Sequence, residues 1–170
     1  MSVLSGEEIS RRVELGQLSV VPWMPEALSS DSLDLHLCGE YITFERVWSL
    51  EVVDLWEQKE NGFLSGELAG CVNKVINTPN LVMRGGEVVV AYLQERLNLP
   101  SDLCGYIDGK SKWARLGLQV ASAGLVHAGW QGVPVLELVN LGKIPLRLRP
   151  GLPICQIWFM EVLSLVEKGD

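Results

Sequence analysis

After residue 15 the sequence contains no long helical pattern, and this restricts the fold more than any other feature. Apolar residues come instead in short runs bounded by turn signals. These are Leu33, Leu35 and Leu37 alternating with Asp34, His36 and Cys38; Tyr41 to Phe44; Trp48 to Val53; Glu87 to Tyr92 after Arg84-Gly85-Gly86; Leu116 to Val120; Val133 to Val139; Leu146 to Leu148; and Ile154 to Phe159 after Pro150-Gly151. The period of two across Leu33 to Leu37 predicts a half-buried strand. Many short strands at turn-bounded spacing predict an all-β fold, a distorted barrel or jelly-roll-like arrangement. Leu99-Pro100-Ser101-Asp102 and Asp108-Gly109 predict further turns, and Asp54 to Ala69, polar and without period, reads as a surface excursion.

The first helix falls at residues 5–15. Ser5 is placed as its N-cap, Glu8 completes an S-x-x-E capping box, and Leu4 and Ile9 occupy the two positions of a hydrophobic staple. Ile9 and Val13 share a face, and Gly16 is a natural stop. Pro22 and Pro25 then break the apolar run Leu18 to Val21.

At 170 residues the expectation is a single domain, 1–170, able to bury a core without staples. No apolar run approaches the roughly 20 residues that span a bilayer, and MSVLSGEEIS lacks the basic-then-apolar order of a signal peptide, so no membrane is expected and the cytoplasm is the expected location. Cys38, Cys71, Cys104 and Cys155 are widely spaced with no C-x-x-C, which points to buried thiols and away from a disulfide framework or zinc. A net charge of −7 disfavours nucleic acid as a partner. The charge is uneven, however: residues 101–160 hold six bases (Lys110, Lys112, Arg115, Lys143, Arg147, Arg149) and only three acids (Asp102, Asp108, Glu137). A basic island on an acidic chain suits a small polyanion, unless Arg147 and Arg149 are simply a solvated strand face.

The chemistry concentrates in residues 107–140. There are only two histidines, His36 and His127, and His36 lies on the polar phase of its strand, exposed or bonded to a neighbour. No G-x-S-x-G elbow, no G-x-x-x-x-G-K-S/T phosphate loop and no H-x-E with P-C-x-x-C zinc deaminase pattern occurs, so any deamination here would be metal-free at the base. Ser111 can cap a one-turn helix over Lys112 to Leu116, placing Ser111 and Arg115 on one face. The helix start, with Lys110 and Lys112, then attracts phosphate or is an ordinary capped turn. Glu137 shares a strand face with Val133, Val135 and Val139. A carboxylate there needs a partner, for which Arg115 is the candidate, and the pair is either a general base with its orienter or a structural ion pair.

The residues D-G-K-S-K-W-A-R-L-G-L (108–118), A-G-W-x-G (128–132), L-E-L-x-N (136–140) and G-K-x-P-L-x-L-R-P-G (142–151) resemble the dCTP deaminase branch of the dUTPase superfamily. Weaker matches at Gly16 to Pro22, Ser32 to Leu37, Gly86-Glu87 and Leu99-Pro100 extend the likeness over most of the chain, and it is strongest from residue 99 to 160. The resemblance implies a distorted β-barrel that forms a homotrimer with active sites at subunit interfaces. It implies hydrolysis of dCTP to dUTP and ammonia, a glutamate that activates water, no zinc, and Mg²⁺ carried on the triphosphate. By position, Glu137 matches the general base, and Ser111 and Arg115 match the pair that orients water, glutamate and phosphate. Lys110, Lys112, Ser122, Ala123, Gly124, His127 and Gln156 fall in the substrate-binding set, with the backbone of 122–124 reading the pyrimidine edge. No residue is assigned to a metal.

Several positions depart from the family pattern. Lys110 replaces an arginine, keeping the charge without the bidentate fork. Lys112 replaces a serine, the loop between Val120 and Gly129 is one residue short, and the family's C-terminal arm is expected to be missing beyond Asp170. His127 stands where dUTPases place the aspartate that activates water against phosphorus. Three readings follow: a dCTP deaminase, a dUTPase-type or bifunctional hydrolase, and a non-catalytic nucleotide-binding trimer with a decayed site. Trp113 and Trp130 either flank a base or pack.

Overall fold

The structure, a computed structural model, describes residues 2–44, 55, 78–121 and 123–163 and the backbone of 72–75. The strand expected at Trp48 to Val53 and most of the surface excursion at Asp54 to Ala69 lie outside these residues, as does Cys71. Helix α1 (Gly6–Glu14) leads to β1 (Ser19–Val21), a short 3₁₀ turn (Pro25–Ala27) and β2 (Leu33–Phe44). Then follow β3 (Val72–Val75), β4 (Leu81–Met83), β5 (Val88–Leu93), β6 (Arg96–Asn98) and β7 (Leu103–Gly109). A second, one-turn helix α2 (Ser111–Ala114) precedes β8 (Leu118–Val120), β9 (Leu125–Val126), β10 (Gln131–Gly132), β11 (Val135–Asn140), β12 (Leu146–Leu148) and β13 (Pro153–Glu161).

The all-β expectation holds. One curled sheet runs β8-β11-β5-β2-β13-β7-β9, with β3 also on β2; β1-β6-β10 and β4-β12 form two smaller sheets. Every pairing among the described residues is antiparallel.

The hub is β2. Leu33, Leu35, Leu37 and Tyr41 are buried to within 1% on one face while the intervening residues are half-buried, as period two predicts. The first half of the strand pairs with β13 and the second with β5 and β3. Tyr41 to Phe44 is therefore a continuation of β2 and not a separate strand. The alternation of apolar and polar residue types stops at Gly39, although burial keeps its phase to Tyr41. At Gly39 φ is +99°, and the register on β5 shifts between Leu37 and Tyr41. A β-carbon at Gly39 would sit 2.7 Å from Pro150 Cγ, so both the backbone angle and the space demand glycine. The Pro150-Gly151 turn is fastened at this bend, Gly151 N–H donating to the Leu37 carbonyl at 2.8 Å.

Two further expectations are corrected. Asp108-Gly109 is not a turn: both residues complete β7, paired with Gln156 and Cys155 of β13. Ladder pairing over Leu103 to Gly109 overrides the local turn propensity. Of the described cysteines only Cys155 is fully buried, its thiol pushed up by burial and by the nearby charges of Glu95 and Asp34; Cys38 and Cys104 are half-buried.

Helix α1 forms as read, with the Glu8 N–H donating to Ser5 Oγ at 3.2 Å and Leu4 and Ile9 buried. The reciprocal half of the capping box does not form. Two arginines take the Glu8 carboxylate instead, Arg11 at 2.7 Å and Arg12 at 3.0 Å, and Arg12 also reaches Asp102 at 2.7 Å and Glu161 at 3.3 Å. Arg12 thus ties the helix to the turn before β7 and to the end of β13. Hydrogen bonds from Arg11 and then Arg12 hold the Glu8 carboxyl down at about 2, from an ordinary 4.5. A depressed folded-state value means stabilisation that is complete above the unfolded value and lost as pH falls through the folded one. Thermal melting is therefore expected to weaken between about pH 4.5 and about pH 2, and Glu8→Gln is expected to flatten that part of the acid limb.

Candidate active site

The expected chemistry divides between two neighbouring places joined by β8. That strand is only three residues long, roughly 10 Å at 3.3 Å per residue.

At the start of β8 lies α2. Ser111 is the first residue of this helix and not its cap; Lys110 holds the N-cap position without a side-chain cap bond. The Lys110 carbonyl accepts the N–H groups of Trp113 at 2.9 Å and Ala114 at 3.1 Å. The turn closes at Arg115, short of the expected Leu116, because Leu116 and Gly117 fold back as a tighter turn. Ser111, Lys112 and Arg115 are exposed. The Trp113 indole N–H donates to the Pro153 carbonyl at 2.8 Å, and Lys112 Nζ sits 4.6 Å over the Trp113 ring. Trp113 is therefore a packing residue of α2. Lys110, expected at substrate, is paired with Asp34 of β2. Arg147 and Arg149 lie exposed, as a solvated face would.

At the far end of β8 lies the small-residue loop. Ser122 lies outside the described residues. Ala123, Gly124, His127, Trp130, Pro134 and Val135 line a cavity of about 170 Å³. Small-molecule pockets are usually about 300–1,000 Å³, larger than this cavity. The Gly124 carbonyl accepts the Ile107 N–H at 2.7 Å, and a β-carbon at Gly124 would stand 2.4 Å from the Ile107 oxygen, so the close approach of loop to β7 requires glycine. His127 is exposed at the rim, its carbonyl accepting the Trp130 N–H at 3.1 Å.

Glu137 stands on β11 between the buried Leu136 and Leu138, directed outward with Val135 and Val139. Its carbonyl accepts the Ala121 N–H at 2.7 Å, which fixes the start of the small-residue loop beside it. Two expectations change here. Glu137 is exposed in the single chain and not partly buried, and among the described residues Arg115 makes no ion pair, so the anticipated Arg115–Glu137 contact is absent within one chain. The period of two places Glu137 on the outward face as expected, and cover for that face depends on what packs against it from outside the strand. Gln156, half-buried on β13, opposes Asp34 and Asp108 and does not line the loop cavity.

Sequence reasoning missed Glu95. It is buried to 1%, and its carboxylate accepts from the His36 backbone N–H at 3.0 Å and meets His36 Nδ1 at 2.7 Å. His36 was read as exposed or bonded, and it is bonded. Asp34 was seen only as part of an alternation. The polar phase of β2 was the available signal, but its partners come from β5–β6 and from the β7–α2 junction, distant in sequence.

A family model described as dCTP deaminase-like matches residues 3–162. The dCTP deaminase of Psychromonas ingrahamii is 35% identical over 170 residues, covering 95% of this chain and 84% of its own. A dUMP-forming dCTP deaminase of Methanopyrus kandleri is 34% identical over 178 residues, covering 99% and 86%. Among solved structures, the 2′-deoxycytidine 5′-triphosphate deaminase of Agrobacterium tumefaciens shares the fold with a TM-score of 0.69 at 20% identity; the match covers 92% of this chain and 47% of that one, so this chain spans about half its length. The contact of Gly124 with β7 is testable on its own. Gly124→Ala is expected to lower stability to urea by about 1–3 kcal/mol, while Ala123→Ser at the exposed neighbour stays within about 0.5 kcal/mol.

Proposed function

The chain belongs to the dCTP deaminase-like family, and from that premise we propose that it hydrolyses dCTP to dUTP and ammonia at sites shared between the subunits of a homotrimer. The observation that carries this reading is the position of Glu137, on the strand whose backbone anchors the loop lining the cavity. A carboxylate beside a base-sized slot can take a proton from water. The resulting hydroxide adds to C4 of the cytosine, and the proton taken by the carboxylate passes to N3. The hydroxyl proton of the tetrahedral intermediate then passes by way of the carboxylate to the exocyclic amine, which leaves as ammonia as the carbonyl forms. One water is consumed and no redox partner is needed.

In this reading the backbone of Ser122, Ala123 and Gly124 reads the pyrimidine edge, and His127 contacts the sugar. Ser111 and Arg115, from a neighbouring subunit, orient the water, Glu137 and the phosphates, and Lys112 adds charge. Gln156 belongs to the substrate-contacting set. Mg²⁺ enters as part of the substrate, on the triphosphate. A shared site accounts for three features of the single chain: the small cavity, the exposure of Glu137, and the apolar outward face of β11 and β5, where Val135 is 36% and Val88 42% exposed. Among the described residues no helix is long and apolar enough to cross a membrane, and a cytoplasmic setting belongs to the same reading.

A bifunctional hydrolase is the second reading. It is favoured by the relative named as dUMP-forming. His127, in place of the aspartate, weakens it, although a neutral imidazole on the cavity can still serve as the base. Incubation with dCTP and, separately, dUTP in the presence of Mg²⁺, with chromatography of all nucleotides, separates the two. Conversion of dCTP to dUTP is expected, and Glu137→Gln is expected to slow it by about 10²–10⁴-fold. Appearance of dUMP, abolished by His127→Ala, assigns the bifunctional reading. No turnover of either nucleotide overturns both and leaves a nucleotide-binding trimer, which calorimetry tests. A monomer in sedimentation at micromolar concentration overturns the shared site.

A further inference from the structure

Helix α2 is four residues long. Nucleating a helix fixes several residues for one hydrogen bond, so a single turn has no stability of its own and stays where tertiary contacts hold it. Its N-cap is a lysine, which has no side-chain acceptor and cannot satisfy the N–H groups of the first turn. Three ties fix the segment. At its end, the Leu141 N–H donates to the Gly117 carbonyl at 2.8 Å. In its middle, the Trp113 indole donates to the Pro153 carbonyl at 2.8 Å. That carbonyl lies at the bulge where the register of β13 on β2 shifts between Pro153 and Cys155. At its start the side-chain tie is the Lys110–Asp34 ion pair.

Both side chains of this pair are largely out of solvent, Lys110 at 17% and Asp34 at 21% exposure. Asp34 is itself held firmly: it opposes Gln156 in the β2–β13 ladder and is flanked by the buried Leu33 and Leu35. Lys110 carries the carbonyl that receives the Trp113 and Ala114 amides, and Ser111 follows it directly. Movement of Lys110 therefore moves Ser111.

We propose that Asp34 is a positioning residue for the reaction: through its ion pair with Lys110 it fixes the start of α2 and hence the placement of Ser111 and Arg115, and Lys110 is a strut and not a triphosphate ligand. This rests on the deaminase reading for the roles of Ser111 and Arg115, and it departs from that family's resemblance in the role of Lys110. Fixing reacting groups to within a fraction of an ångström is where such a strut acts on rate.

The test combines steady-state kinetics on dCTP with amide hydrogen exchange on the nucleotide-free protein, using Asp34→Asn, Lys110→Met, the double variant and Lys110→Arg. Each single substitution is expected to lower kcat about tenfold with little change in KM, and the double variant to be no worse than either, as for contacting residues that act as a unit. Lys110→Arg, which keeps charge and reach, is expected to recover most of the loss. In the nucleotide-free protein the amides of Trp113, Ala114 and Arg115 are expected to exchange about tenfold faster in both single variants, while amides of the β2–β13 ladder do not. A raised KM in Lys110→Met with Asp34→Asn unaffected, or additive losses in the double variant, overturns the proposal. If the wild type does not turn over dCTP, the deaminase reading fails by itself. Exchange then decides the strut: acceleration in both single variants supports it, and unchanged exchange overturns it.

Discussion

A single strand serving two halves of one sheet is the constraint on which the molecule depends. β2 pairs with β13 along its first half, and along its second half it lies between β5 and β3, one on each edge. A straight strand would make a flat sheet with its apolar face half uncovered. The turn of the backbone at Gly39 lets the sheet curl, so that Leu35 and Leu37, Leu136 and Leu138, and Ile157 and Phe159 meet in one core. Pro150 occupies the space that a side chain at position 39 would need, so the bend and the last turn before β13 are made for each other.

The site elements hang from this frame. α2 is tied to β2 through Asp34 and to β13 through Pro153, and the small-residue loop is tied to β7 through Gly124 and to β11 through Ala121. Neither element has enough internal hydrogen bonding to hold its shape. Both borrow rigidity from strands that bury large apolar side chains on their other face, the arrangement by which loops carry chemistry on a rigid scaffold.

Local rules accounted for much of this. Ser5 begins α1, period two marks Leu33 to Leu37, Arg84-Gly85-Gly86 and Pro150-Gly151 make turns, and the phase of β11 points Glu137 outward. Failures came where a distant strand outvoted a local signal. Asp108-Gly109 carries turn propensity, but its pairing with β13 keeps it extended. Tyr41 to Phe44 reads as separate because Gly39 offers no apolar side chain to carry the pattern across, although burial keeps its phase to Tyr41. In the site, residue types were legible and contacts were not. Lys110 and Arg115 were read as cations awaiting an anion, yet Lys110 has Asp34, 76 residues earlier. Glu95 gave no signal, because a buried carboxylate is intelligible only beside its histidine.

The β2–β13 pairing joins Leu33 to Ile157, far apart in the chain. On a ribosome the first of these emerges long before the second. Until residues 153–161 are made, one edge of β2 has no partner, and its unpaired amides and carbonyls beside a row of leucines are the surface on which strands of other chains add. Pairing so remote in sequence can form only after β13 is made, and contacts of this kind slow folding. The vulnerable species is then the nascent chain lacking β13, since a truncation before Pro153 leaves that edge of β2 open.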